Sequence, residues 1–336
     1  MTIYDIAKQA GVSASTVSRV INGKPGIKES TRRKVQKLLE ENSYTPNAAA
    51  RGLVMQSSRF IGILIEDIRV SHHTDSVYVI GQEMMKSGYT CITFSTGIEP
   101  EQKAKYIEIL EQRQVEGVIL IGSMFSSDVV RESIERHLSN IPVVLVNGTL
   151  DLPNVYSILI DEEHGTQECV EYLLKHGRRN LSYIMDVSTP SNTKKLRGFR
   201  SGMAAGGIEE EDCQIVCAPG ENTSSNDSIS RGYEAAEFLL EQYPDTDAIL
   251  CCTDLLAIGC LQLLQEKKIS VPEKVAVMGV DNTLYGRICT PALSTLDNKL
   301  VELSMNAAHV LLDVFEGRAT SHKVMLFTDI ILRQST

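Results

Sequence analysis

A chain of 336 residues is longer than one ordinary core requires and suits two or three domains. No apolar run approaches the roughly 18 residues a membrane helix needs, and no apolar leader opens the chain, so a soluble, cytoplasmic protein without a membrane partner is expected. The net charge of −10 argues against nucleic acid only as an average: residues 1–58 carry nine Lys/Arg against four acids (+5), leaving 24 cations and 39 acids (−15) in the remainder. A basic head on an acidic body is the asymmetry of a chain in which one module meets phosphate and the other does not.

Thr2 followed by Asp5 has the spacing of a capping box and opens a helix whose inward side is Ile3, Ile6, Ala7 and Ala10. Gly11 breaks it. Ser13 caps a second helix, Ala14 to Asn22, which buries Val17, Val20 and Ile21. Asn22-Gly23 and Pro25-Gly26 form a loop. A third helix, Glu29 to Asn42, turns Val35, Leu38 and Leu39 inward and Arg32, Arg33, Lys34 and Lys37 outward. Two helices joined by a glycine turn describe a helix-turn-helix, and a generic three-helix domain is the competing reading of the pattern. On the second helix Ala14, Ser15, Thr16, Ser18, Arg19 and Asn22 escape the core, and Arg19 can bond guanine bidentately. Beyond Tyr44, Asn47 is a good N-cap and Ala48–Ala50 favour helix, but this stretch is too short to be stable alone.

From Arg59 apolar strands alternate with amphipathic helices. Strands are expected near 60–66, 90–95, 117–122, 143–147, 157–161, 180–185, 214–218, 248–252 and 274–280, with helices such as 101–112, 165–176, 228–242 and 300–316. Buried strands alternating with helices mean doubly wound parallel sheets, and nine strands suit two lobes. Ligands of such sheets bind beyond the carboxyl ends of the strands. Polar residues gather there, among them Asp67, Ser123, Asn147, Asp161, Thr253, Asp254 and Asp281, although each is also an ordinary helix cap. After the first strand, the run 66–75 reads as a loop whose His72, His73 and Asp75 suit a polar or anionic ligand; solvated histidines are the plainer reading, and no metal site is expected. The eight cysteines lie mostly in apolar runs without paired metal spacing and read as reduced core thiols. No GxGxxG, P-loop or nucleophile motif supports an enzyme.

Thr2-Ile3-Tyr4-Asp5-Ile6-Ala7, Ala10-Gly11-Val12-Ser13 and Ser15-Thr16-Val17-Ser18-Arg19-Val20-Ile21-Asn22 resemble the head of the lactose/galactose-repressor family nearly residue for residue. Gln114–Ile119, Leu196–Phe199, Cys252–Gly259, Met278–Asn282 and Thr290–Thr295 resemble landmarks of its body, so the likeness spans the chain. The head, the Ala-Arg-Gly-Leu stretch at 50–53 and the ending Leu332–Thr336 resemble the catabolite control branch. The resemblance implies an all-α helix-turn-helix head at 1–45 and a hinge helix at 46–58. It further implies a bilobed, periplasmic-binding-protein-like effector and dimerisation domain at 59–336. Its N-subdomain is expected at about 59–156 plus 290–320, and its C-subdomain at about 157–289 plus 321–336.

By the same resemblance, Ala14, Ser15 and Arg19 read bases; Thr2, Thr16, Ser18 and Asn22 contact or support the DNA backbone. Asn47 and Arg51 belong to the hinge, and Leu53 wedges into a central minor-groove step. Gly52 stands where Ser is commoner. Asp281 would bond the effector and Thr253 and Asp254 line its wall. Lys195 stands where relatives place a clasping arginine, for which Arg197 is the substitute, and the aromatic that closes over a sugar is missing. The function implied is that of a homodimeric repressor without a cofactor. It would bind pseudo-palindromic double-stranded operator DNA under control of a small effector, carbohydrate-derived by family default, and be nucleoid-associated when bound. A bilobed solute-binding receptor without a DNA role is one alternative. Use of a phosphoprotein corepressor is another, although Thr290 stands where that branch has a docking arginine.

Overall fold

A computed structural model of the protein describes residues 1–21, 23–42, 58–220 and 227–336, and the chain divides into two units, Met1–Ser58 and Arg59–Thr336. In the first unit, helix α1 (Ile3–Ala10) starts on the expected capping box: Asp5 N–H donates to Thr2 Oγ1 and Thr2 N–H to Asp5 Oδ2. It stops at Gly11, whose φ of +67° is the left-handed conformation that favours glycine. Helix α2 (Ala14–Ile21) begins on Ser13, whose Oγ accepts from Thr16 N–H at 3.2 Å. Helix α3 (Glu29–Glu41) closes the bundle. Ile6, Ala7, Ala10, Val17, Val20 and Val35 form its buried centre.

The second unit contains two six-stranded sheets among the described residues. The first, in the order β11-β5-β4-β3-β1-β2, is parallel throughout. It uses β1 (Phe60–Ile65), β2 (Thr90–Ser95), β3 (Gly117–Ile121), β4 (Val143–Val146), β5 (Val155–Ile160) and β11 (Lys323–Leu326). The second, in the order β12-β10-β9-β8-β6-β7, is parallel except for β12. Its strands are β6 (Leu181–Met185), β7 (Gln214–Cys217), β8 (Ala248–Cys251), β9 (Ala276–Val280), β10 (Ser294–Asp297) and β12 (Asp329–Ile331).

The two-residue period of a strand explains how the first sheet is covered on both faces. Ile61, Ile63, Ile65, Ile119, Ile121, Val144 and Val146 pack on α4 (Ser71–Lys86) and α12 (Leu300–Phe315). The alternating residues Leu64, Val118, Leu120, Val143 and Leu145 face α5 (Pro100–Gln112) and α6 (Asp128–His137). Each such buried aliphatic side chain contributes about 1.5–3 kcal/mol. In the second lobe α7 (Glu162–Lys175) packs on α8 (Pro190–Ala205), and α9 (Ser228–Gln242) packs on α10 (Asp254–Glu266). A Cβ on Gly198 would lie 2.1 Å from the Glu163 carbonyl oxygen, so glycine is what lets α8 approach α7 so closely.

Three expectations need correction. The switch between lobes is not at 156/157, because Val155–Ile160 pairs with β4 and β11 in the first sheet; the chain enters the second lobe only afterwards. The tail likewise divides differently at two strands: β10 belongs to the second sheet and β11 to the first, while α12 lies in the first lobe and β12 in the second sheet, on the expected sides. The histidine segment is also no loop, since His72 and His73 lie in the first turn of α4.

Candidate functional site

On the head, α2 presents Ser15 and Arg19 fully outward, with Thr16 and Ser18 half-exposed; Ala14 is partly packed against the core rather than free of it. Arg19 Nη2 donates to the Pro25 carbonyl at 3.0 Å, so the loop after the helix steadies the guanidinium. Thr2 is exposed and engaged in its cap. Asn22, Asn47, Arg51 and Leu53 lie outside the described residues.

In the second unit, a cleft of about 540 Å³ opens where the carboxyl ends of both sheets face each other. The residues that follow the strands line it: Glu66 after β1, Ser123 after β3, Asn147 after β4, Asp186 after β6, Thr253 after β8, Asp281 after β9 and Asn298 after β10. Asn147 (φ +57°) and Asp281 (φ +112°) hold left-handed backbone, strain that the packed sheet ends maintain and that is common at binding sites. The lobes touch across the cleft where Ser191 N–H, in the first turn of α8, donates to Ser123 Oγ at 3.3 Å.

Ion pairs hold the walls, all of them buried or nearly so except the exposed Arg69–Asp67. Lys103, fully buried on α5, donates to Glu66 Oε1 (2.9 Å) and to the carbonyls of Ile98 (2.9 Å) and Met124 (3.2 Å), which ties three segments of the first lobe beneath the cleft. Arg231 pairs with Asp186 at 2.6 Å, and Arg69 with Asp67 at 2.7 Å. Lys195 lies 3.6 Å from Glu162 Oε1 and donates to the Cys252 carbonyl at 3.1 Å. Burial opposes the charge of Lys195, but Glu162 and Asp281 outweigh it and its pKa is raised. Burial pushes the Asp281 carboxyl up to about 7. His72 is reachable from within the cleft yet has protein packed around it, and this desolvation lowers its pKa well below the usual value; His73 is buried and lowered for the same reason.

The cleft thus brings together His72, His73, Ser123, Asn147, Lys195, Thr253 and Asp281 of the expected effector residues. Five others do not line it. Asp67 is occupied by Arg69, and Asp75 is exposed on α4. Asp161 caps α7 by accepting from His164 N–H. Arg197 points to Glu163 at 2.8 Å on the exposed side of α8. Asp254 is buried and accepts from Thr295 Oγ1, Thr283 N–H and Thr283 Oγ1, so it braces the turn after β9. Glu162, Ser191, Asn192 and Asn298 line the cleft without having been singled out. Among the described residues no three His, Cys, Asp or Glu side chains gather as a metal site, and no helix is long and apolar enough to cross a membrane.

Residues 2–47 match the model of the lacI family of bacterial regulatory proteins, and residues 170–336 match a periplasmic binding protein-like domain. The chain is 30% identical over its whole length to an HTH-type transcriptional regulator of Lachnoclostridium phytofermentans, covering 99% of that protein. It is also 30% identical over its whole length to catabolite control protein A of Priestia megaterium, again covering 99%. The solved structure of the lac repressor dimer bound to operator and the anti-inducer ONPF has the same fold, with a TM-score of 0.88 at 23% identity over 100% of this chain and 98% of that one. With a family head on residues 2–47 and full-length likeness to such regulators, this chain belongs to the LacI family of bacterial transcriptional regulators.

Proposed function

We propose that the protein is a repressor that binds a pseudo-palindromic operator as a homodimer and is controlled by a small, hydroxyl-rich, carbohydrate-derived metabolite in the interlobe cleft. It acts in the cytoplasm and is nucleoid-associated while on its operator. The observation that carries this reading is the pairing of an outward Arg19 on a recognition helix with a polar cleft at the converging sheet ends. One head offers few base contacts, and two copies on adjacent half-sites multiply affinity. The resemblance of 46–58 to a hinge helix supplies the link: occupancy of the cleft biases whether Leu53 can wedge the duplex. Ligand and operator then couple reciprocally.

The test is selection of duplexes from a random pool by the full chain, followed by binding measurements on Arg19→Ala. That variant should lose about 1–3 kcal/mol of discrimination at one symmetric pair of base positions while keeping its affinity for random duplex. A parent chain that prefers no sequence, with or without metabolites, would contradict the proposal.

A further inference from the structure

The polar groups of the cleft are unevenly divided between donors and acceptors. Among the described residues, three buried oxygens on its wall have no hydrogen-bond partner: Glu162 Oε2, Asn147 Oδ1 and Asn298 Oδ1. Glu162 is 1% exposed, and both Ser191 Oγ (2.5 Å) and Lys195 (3.6 Å) approach its other oxygen. Asn298 is oriented by donating its Nδ2 to Asp281 Oδ1 at 2.8 Å, which leaves its carbonyl oxygen unmatched. A buried acceptor without a donor costs about 1–3 kcal/mol, so the site suits a ligand that brings donors.

Charge is skewed in the same direction. Glu66 has Lys103, Asp186 has Arg231, and Arg69 is held by Asp67. Lys195 is left facing two carboxyls, Glu162 and Asp281. Among the described residues Asp281 makes no ion pair, and the neutral amide of Asn298 donates to it. Two acids sharing one ammonium leave room for one more cation, and a phosphate or carboxylate there would meet like charge.

We propose that the cleft takes a polyhydroxylated ligand carrying one ammonium group, of the amino-sugar or amino-polyol class. The ammonium pairs with Asp281 while hydroxyls donate to Asn147, Asn298 and the open oxygen of Glu162 once these side chains turn toward the ligand, since all three oxygens are shielded from solvent in the free chain. This inference rests on the cleft being the effector site. Such a ligand selects the ionised carboxylate, which Lys195 on α8 favours while Glu162 on α7 and Asp254 on α10 oppose it; the buried Cys252 thiol after β8 is held neutral. Amine affinity should therefore strengthen by up to about tenfold per pH unit below neutrality and decline again once pH passes the amine's own pKa.

The experiment uses the full chain, with thermal shift and calorimetric titration at pH 6 and pH 8. The probes are glucosamine, galactosamine, mannosamine and glucamine, each beside its N-acetylated and hydroxyl counterparts, together with glucose 6-phosphate and glucuronate. At least one amine should bind tenfold or more tightly than both counterparts, and more tightly at pH 8. Asp281→Asn should abolish that preference without lowering the melting temperature of the free chain, and Glu162→Gln should weaken it. Amines that bind no better than their counterparts, no response to any amine, preference for phosphate or uronate, or a preference that survives Asp281→Asn would overturn the proposal. A neutral or anionic sugar that binds and changes operator retention would overturn the amine alone; an amine that binds tightly without affecting operator retention would instead overturn the regulatory reading.

Discussion

Asp281 is half-buried on the cleft wall, faces Lys195, Glu162 and Asp254, and holds its proton to about pH 7. An unfolded carboxyl ionises near 3.8, so the stability it contributes is complete below that pH and is lost as pH rises towards 7. The loss is on the order of 4 kcal/mol. Asp281→Asn retains an acceptor for Asn298 and should therefore be more stable than the parent at pH 8 and similar at pH 4, measured by melting across that range. Lys103 makes the opposite case. Lys103→Met strands Glu66 beneath the cleft and should cost about 3 kcal/mol in denaturant unfolding, with Glu66→Gln in the same chain restoring part of it. Asp281 is legible in the sequence because it follows an apolar strand. Lys103 is concealed by its sequence distance from Glu66, yet it falls on the stripe of Ile107 and Leu110, the one signal that it faces inward. Asp161 and Asp254 show the converse: an acid after a strand caps or braces as readily as it binds.

At the scale of elements, the head's helices could be read nearly to their ends because Thr2, Gly11 and Ser13 are local signals with local causes. Helix α4 escaped notice for the same reason in reverse. Its N-cap is Val70, which offers no capping side chain, and the polar residues 71–76 resemble a loop. The meeting of α7 and α8 depends on a missing side chain. Because a Cβ at 198 would strike backbone rather than a movable side chain, Gly198→Ala should lower stability by about 3 kcal/mol and displace α8. Unfolding of the purified variant, with cleft binding measured alongside, checks both effects, since α8 carries Lys195, Ser191 and Asn192 into the cleft.

For the molecule as a whole, the existence of two lobes could be read from strand count, but their boundary could not. A buried strand looks the same whichever sheet it joins, and the pairing of β5 with β11 spans more than 160 residues. The closing segment is sewn in tightly. Ser335 is fully buried, accepts from Ser294 N–H and donates to the Val277 carbonyl, while Arg333 bonds Leu293 and Asn282. Removing residues 333–336 should therefore destabilise the second lobe by several kcal/mol, at about 1 kcal/mol per lost bond plus the donors and acceptors left unpaired. Melting and limited proteolysis of the truncated chain would detect this.

The order of strands along the chain also governs how the protein is made. One edge strand of the first sheet and one of the second both come from residues 323–331. Translation therefore leaves two unfinished sheets, each with an open flank, until residues 323–331 have been made. Both lobes then close within the span of a few codons, so a stalled nascent chain yields no half-product with a finished sensor lobe.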